Sequence, residues 1–413
     1  MKILYDCFSC SPYYGSDEGI GWMWPYLMRQ YHDVWVLVRK DRKPDIEQYC
    51  TQHNIDNIHF VYCDIPDWMN FYYRRLAKNK NGVLDFLAYQ YLWQFPAYMS
   101  AKRLHKKIQF DLVHHVCTND FRILGFMYKL NIPYIIGPIG GAQETPDGLR
   151  YYVRNHQKSE KLRSLLNKLM ICLPGYKKAL NVADRVYFSN TETRDFLFPY
   201  IKNHNKCELL TEIGYHGSNL GQSCTNKSDK KIVFMWAGRM EYRKGLELLV
   251  DVMKRLPLDK NWKLVLCGDG NEREYIQQLC NQEAFAERVI FLGKLPYEKV
   301  QQIYQEVNVF VFPSLRETTG TVIIEAMARG IPVICLKQGG GVLVVNEETG
   351  FLIPVDNKEE CIECFRNAML QCICNPSIVE RMGNKARERV FTHFSWNEKV
   401  LKMEQSYKHL LGL

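Results

Sequence analysis

The sequence lacks any run approaching the ~18 uninterrupted apolar residues that a membrane-spanning helix requires. Its longest candidate, residues 84–99, is broken by Asp85, Gln90, Gln94 and Pro96. An export leader is not expected either, because the opening Met-Lys-Ile-Leu-Tyr-Asp-Cys meets Asp6 before an apolar segment of leader length can form. That opening reads as a first buried strand and predicts a cytoplasmic protein. No fixed-period repeat and no low-complexity tract occurs. With 46% hydrophobic and 24% charged residues, the composition excludes disordered, collagen-like and coiled-coil chains.

Cysteine is not scarce, but its pattern is uninformative as a staple. The 15 cysteines are scattered. Cys7, Cys63, Cys267 and Cys335 sit inside apolar runs, where a free thiol behaves as a small hydrophobe. Cys361-x-x-Cys364 and Cys372-x-Cys374 come nearest to metal-ligand spacing, yet they fall on an amphipathic helical stretch with no histidine at finger spacing. Reduced thiols without structural zinc are expected. The formal net charge of +9 is uneven. Residues 1–215 hold 28 Lys and Arg against 21 Asp and Glu, while the remainder holds 26 against 24.

A length of 413 residues suggests two to three domains at roughly 150 residues each. Both halves open alike, with a short apolar run ending in glycine: residues 2–7 lead to Gly15, Gly19 and Gly21, and residues 231–237 lead to Gly238. Further apolar runs at 34–38, 58–61, 112–116, 134–136 and 185–188 follow in the first half. Runs at 263–267, 289–292, 307–312 and 332–335 follow in the second. Such runs alternating with helical patterns predict parallel strands with crossover helices. The expected architecture is α/β, with two doubly wound Rossmann-like domains facing across a cleft. The expected divisions are 1–215 (the acceptor side), 216–395, and a terminal helix over 396–413 crossing back onto the first domain, with residues 214–230 as linker.

In the second half, Gly238-Arg239-x-x-x-x-Lys244-Gly245 follows a strand and precedes a helical run. A turn there presents backbone N–H groups and a helix N-terminus to an anion, and its two cations would suit a diphosphate. The same two residues could be solvated surface cations. Downstream, Glu317 and Glu325 bracket a loop and the start of a helix. Paired carboxylates suit hydroxyl recognition, since each can accept from two hydroxyls. Glu325 could instead be an ordinary charge on a helix face, but within Ile-Ile-Glu-Ala-Met-Ala it would need a partner.

Glu317 through Glu325 resembles the Glu-x7-Glu motif of glycosyltransferase family 4, whose members are retaining and adopt the GT-B fold. The Pro313-Ser314 lead-in, the Glu325-Ala-Met-Ala-x-Gly-x-Pro-Val continuation and Gly238-Arg239…Lys244-Gly245 match in order and spacing. So do Cys267-Gly268-Asp269-Gly270, Phe291-Leu292-Gly293 and Thr349-Gly350-Phe351-Leu352-Ile353, a resemblance running from about residue 231 to 400. It implies that Arg239 and Lys244 hold the donor diphosphate and stabilise the departing nucleotide. By the same resemblance Glu325 takes the ribose hydroxyls and Glu317 those of the donor sugar. Amides of Thr318, Thr319 and Gly320 would cradle phosphate and sugar, and the backbone near Leu292 and Gly293 would meet the base, with Gly238 and Gly268 also on the donor side. Thr318-Thr319 depart from the commoner Glu-Gly-Phe-Gly, so the sugar is left open; a UDP-sugar is favoured over a GDP-sugar.

In the first half, Ser11-Pro-Tyr-Tyr-Gly15-Ser-Asp-Glu-Gly19-Ile-Gly21 is similar to the first glycine loop of a bacterial branch of that family. Gly15 and Gly19 would there let backbone approach donor phosphate and acceptor. Gly137-Pro-Ile-Gly-Gly-Ala142 resembles that branch's second loop. His114 and His115 end a strand and face opposite sides of it. The resemblance implies a histidine beside the sugar; His115 is favoured, His114 being equally readable as a satisfied core residue. Arg122 is a further candidate for contact with acceptor or phosphate, beside its reading as a surface arginine.

No Asp-x-Asp occurs, so a metal-chelated diphosphate has no obvious ligands; no cofactor and no metal are expected. Aromatic and basic residues interleave at 71–80, and basic residues recur at 102–107 and 150–168, a pattern suited to an anionic membrane surface or to plain solvated helix faces. Nucleic acid is not an expected partner. The expectation is a metal-independent transferase that takes a nucleotide-sugar donor to a glycan or lipid-linked acceptor of a bacterial surface polysaccharide, peripheral on the inner membrane face. Its rivals are a GT-B enzyme with a soluble acceptor, a nucleotide-sugar epimerase or synthase, and a non-catalytic sugar-nucleotide-binding protein.

Overall fold

The computed structural model describes residues 1–66, 83–116, 120–217 and 231–413. They form two compact units. The first comprises Met1–Ala142, Arg163–Ile213 and Trp396–Leu413, the second Gln143–Leu162 and Gly214–Ser395. The basic, aromatic run at 71–80 and most of the linker expected at 214–230 lie outside the described residues.

The first unit is built on β1 (Lys2–Asp6), β2 (Asp33–Arg39), β3 (Ile58–Cys63), β4 (Leu112–His115), β5 (Tyr134–Ile139), β6 (Arg185–Phe188) and β7 (Cys207–Leu209). Their order is β3-β2-β1-β4-β5-β6-β7, with all neighbours parallel. Helices cover both faces of a parallel sheet, so its central strands are buried on both sides rather than alternating; β4 and β5 are buried at every residue, the histidines that end β4 included. The edge strand β7 was not among the expected runs. Three half-buried residues leave no periodic signal in a sequence. Residues 84–99 lie in the helix Val83–Ile108, whose Trp93, Ala97 and Ala101 are buried in the core of this unit. Among the described residues, no helix is long and apolar enough to cross a membrane.

The terminal helix Trp396–Leu411 belongs to this first unit. Trp396 packs edge-on against Trp24 at 5.3 Å, and the Tyr407 hydroxyl lies 2.7 Å from that of Tyr5. Buried Lys399 donates to the Thr211 carbonyl and hydroxyl, and burial pushes its ammonium down to about 7.

The second unit carries β8 (Ile232–Ala237), β9 (Trp262–Cys267), β10 (Val289–Gly293), β11 (Val309–Phe312), β12 (Val333–Leu336) and β13 (Gly350–Ile353), in the order β10-β9-β8-β11-β12-β13 and again parallel. Its core gathers Trp236 and Trp262 with the buried face of the helix Leu246–Met253 and with Cys361, Phe365 and Cys372 of the helix Lys358–Cys374. Burial pushes the thiols of Cys361 and Cys372 up to about 12, as expected of thiols serving as core hydrophobes.

The units part between Ile213 and Gly214, close to the expected division at residue 215, but an earlier segment departs from the expected first domain. Gln143–Leu162 packs into the second unit, because Leu149, Tyr152 and Val153 bury their side chains in that core. Tyr152 donates to Asp251 at 2.8 Å, and Arg154 pairs with Glu247 at 2.7 Å.

Candidate active site

In each sheet the strand order reverses once, and loops leaving the carboxyl ends of the strands beside that point line a crevice. In the second unit the reversal falls between β8 and β11, so the loops after these strands are neighbours. The ends of β8, β9 and β10 are laced together: Gly238 N–H donates to Cys267 O at 3.0 Å, Gly268 N–H to Gly293 O at 2.8 Å, and Met240 N–H to Asp269 O at 2.9 Å. Gly238, Gly268 and Gly293, distant in sequence, therefore share one rim, beside the partly exposed Leu292.

The turn Tyr242–Lys244 leads through Gly245 into the helix Leu246–Met253. Gly245 has φ +70°, and a Cβ there would overlap the Pro313 carbonyl. Glycine thus lets this turn press against the loop after β11, where Leu315 N–H donates to Arg243 O at 2.8 Å. The contact brings charge together. Lys244 Nζ donates to Glu317 Oε2, and Arg243 Nη1 lies 3.3 Å from the same oxygen while its Nε donates to Glu241 at 2.8 Å. Arg239 stands apart, with a side chain 76% exposed and a 3.4 Å contact to Glu241. Arg243 was not among the expected residues; its only signal was adjacency to Lys244.

Gly320, with φ +90°, opens the helix Thr321–Ala328, and a Cβ there would sit 2.8 Å from the Phe312 ring. The N–H groups at this helix start carry partial positive charge. The preceding loop is held from two sides. Gly340 N–H donates to Thr318 O, and Gln143 Nε2 donates to Thr318 Oγ1 at 2.9 Å. Thr319 is buried. Neither support was foreseen, although three successive glycines after β12, Gly339–Gly341, are a legible sign of close backbone approach. Glu325 projects from the helix toward Tyr304, whose hydroxyl lies 3.4 Å away. Burial raises its carboxyl above the ordinary range, opposed by Arg329 and Tyr304. The two glutamates thus differ in surroundings: Glu317 lies against two cations, whereas Glu325 is half-buried beside a tyrosine.

Among the candidates of the first unit, the histidines are enclosed and the glycine loop is open. Gly15 precedes the helix Ser16–Met28 with no atom near its Cβ position, whereas Gly19 packs on Tyr14 O. Their loop is tied by Ser11 N–H donating to Glu18 O at 3.0 Å, and the Glu18 carboxylate pairs with Arg39 at 3.1 Å and Arg42 at 2.8 Å. His115, favoured as the site-facing histidine, is fully buried: Nδ1 lies 2.7 Å from Asp6 Oδ2 and Nε2 lies 3.1 Å from Ile123 O. His114 is equally buried, bonded to Tyr407 OH and to Gly137 O at 2.6 Å. β4 is covered on both faces, so alternation exposes neither ring. Arg122 pairs with Asp120 at 2.6 Å and donates to Asn167 at 2.9 Å.

Residues 222–389 match the family model of glycosyl transferases group 1. An uncharacterized glycosyltransferase of Methanocaldococcus jannaschii is 29% identical over 190 residues, 46% of this chain and 48% of that protein. The chain spans about half the length, or less, of the first curated relatives it matches. Among solved structures, sucrose-phosphate synthase from Thermosynechococcus elongatus superposes with a TM-score of 0.65 at 21% identity, covering 100% of this chain and 99% of that one. An Anabaena protein solved with UDP superposes with a TM-score of 0.62 at 17% identity, covering 99% of this chain and 100% of that one. The fold is therefore GT-B: two parallel-sheet Rossmann-like units.

Proposed function

We propose that the chain is a retaining, metal-independent glycosyltransferase that moves a hexose-type sugar from a nucleotide-sugar donor to a glycan or lipid-linked glycan acceptor in bacterial surface polysaccharide synthesis. The observation that carries this reading is the meeting of Lys244, Arg243 and Glu317 at the crevice of a glycosyl transferases group 1 domain, beside a glycine-opened helix. Lys244, with the exposed Arg239, holds the diphosphate and offsets charge on the departing nucleotide. Amides of Thr318, Thr319 and Gly320 complete that cradle. Glu317 takes sugar hydroxyls and Glu325 the ribose, with the base near Leu292 and Gly293. The Anabaena structure with UDP supports UDP over GDP as the carrier. Cations and the helix start do the work a metal would do elsewhere.

A peripheral membrane position has support of its own. Leu162, Leu165 and Leu169 of the helix Gln157–Met170 are about half exposed and spaced along one stripe, with exposed Lys158, Lys161 and Lys168 around them. Basic residues near an anionic leaflet contribute about 1 kcal/mol each. The second reading, a soluble-acceptor synthase, is favoured by the likeness to sucrose-phosphate synthase.

Thermal unfolding with nucleoside diphosphates and their sugars, with and without EDTA, tests the core of the reading. A ligand at a hundred times its Kd adds about 2.7 kcal/mol. Stabilisation by one base that survives EDTA is expected; no stabilisation by any nucleotide would move the chain to the rival reading of a sugar-binding or degenerate protein.

A further inference from the structure

Glu160 lies in the segment Gln143–Leu162, within the basic stretch at 150–168 but outside the donor-site motifs read from the sequence, yet it contacts both loops of the crevice. Its Oε1 accepts from Tyr242 OH at 2.9 Å and from Arg316 Nη2 at 2.8 Å, and its Oε2 accepts from Thr145 Oγ1 at 3.0 Å. Tyr242 begins the turn that carries Arg243 and Lys244, and it is stacked on His156 with ring centroids 3.9 Å apart. Arg316 immediately precedes Glu317. The side chains of Arg316 and Glu160 are only 13% and 17% exposed, so their pairing is shielded from solvent.

The backbone of the two loops is already joined by Leu315 and Arg243. What Glu160 adds is a decision about charge. Three carboxylates, Glu160, Glu241 and Glu317, and three cations, Arg243, Lys244 and Arg316, crowd this corner, and Glu241 is taken up by Arg243. Arg316 sits next to Glu317 in sequence and would compete with Lys244 for its carboxylate if it had no other anion. Guanidinium pairs well with carboxylate, so the competition would be strong.

We infer that Glu160 is a positioning residue: by holding Arg316 it reserves Glu317 for Lys244 and for the sugar. This rests on the donor-site reading above. The test compares donor hydrolysis and its kcat and KM in the full-length parent, Glu160→Gln, Arg316→Gln, the double variant and Lys244→Ala. The donors are UDP-glucose, UDP-galactose, UDP-N-acetylglucosamine and GDP-mannose. Glu160→Gln should lower kcat about tenfold with KM little changed, and adding Arg316→Gln should restore kcat to within about threefold of the parent. A purely structural role gives no such rescue, so a double variant as poor as or poorer than Glu160→Gln overturns the inference. Should Glu160→Gln fail to fold, Glu160→Asp, which keeps the charge but shortens its reach, is expected to lose about threefold; parental kcat there overturns the inference. Loss in Lys244→Ala with none in Glu160→Gln overturns it while leaving the donor site intact. A parent that turns over and binds none of the donors sinks the donor site and the inference together.

Discussion

The two units share one topology but treat the polar groups around their strand reversals differently. In the first, Asp6 faces His115, and His114 is enclosed by Tyr407 and Gly137. The histidines and Asp6 are fully buried. In the second, Lys244 is 13% exposed, Glu317 23% and Arg239 76%. Buried polar groups must be satisfied inside the protein, so those of the first unit hold the fold together. Polar groups that keep some access to solvent can exchange partners with a ligand, and those of the second unit have that access. On one scaffold, therefore, burial separates charge enclosed within the protein from charge left within reach of a ligand.

The sharpest break of this contrast would be a second-unit cation that proves dispensable. Lys244→Ala is expected to weaken nucleoside-diphosphate binding and to reduce turnover by about two to three orders of magnitude with little change in unfolding temperature; calorimetry and initial rates measure both. Unchanged binding would make the Lys244–Glu317 pair as structural as Asp6–His115. Glu317→Gln should reduce turnover about a hundredfold while nucleotide affinity falls far less, separating the sugar contact from the phosphate contact. Arg239→Ala, at an exposed position, should cost about tenfold in nucleotide affinity, and that loss should shrink as salt rises.

The first unit predicts a stability effect instead. Burial lowers the His114 pKa from 6.5 to about 3. Between these values the unfolded chain binds a proton that the folded chain refuses, so stability is intact above about pH 6.5 and falls as pH drops toward 3. Denaturant unfolding across that window should show the decline, and His114→Gln should flatten its slope. The smallest effect concerns the membrane. Replacing Leu165 and Leu169 by Ser should reduce co-sedimentation with anionic vesicles about three- to tenfold without altering donor hydrolysis; binding that is unaffected would remove this helix from the membrane reading.

Most strands were legible because a parallel sheet covered on both faces favours continuous apolar runs, as at residues 264–267 and 134–136. β7 was not, being an edge of three residues. The Gly238, Lys244, Gly245 and Glu317–Gly320 positions were legible because tight turns and charge leave a residue-type signature. The partners of those residues were not. Arg243, Gln143 and Glu160 carry no spacing signal, since each acts by arriving from elsewhere in the chain.

By itself the sequence determined two doubly wound units, the rims where glycine and charge gather, and a resemblance extending over the second half. Those follow from local rules: apolar periodicity, glycine's backbone freedom and the order of motifs. Only the tertiary structure decided that residues 143–162 join the second unit, that both histidines of β4 are enclosed, and that Glu160 holds Arg316 beside Glu317. Burial and pairing are set by which segments pack together, and packing is a property of the whole chain that no local window contains.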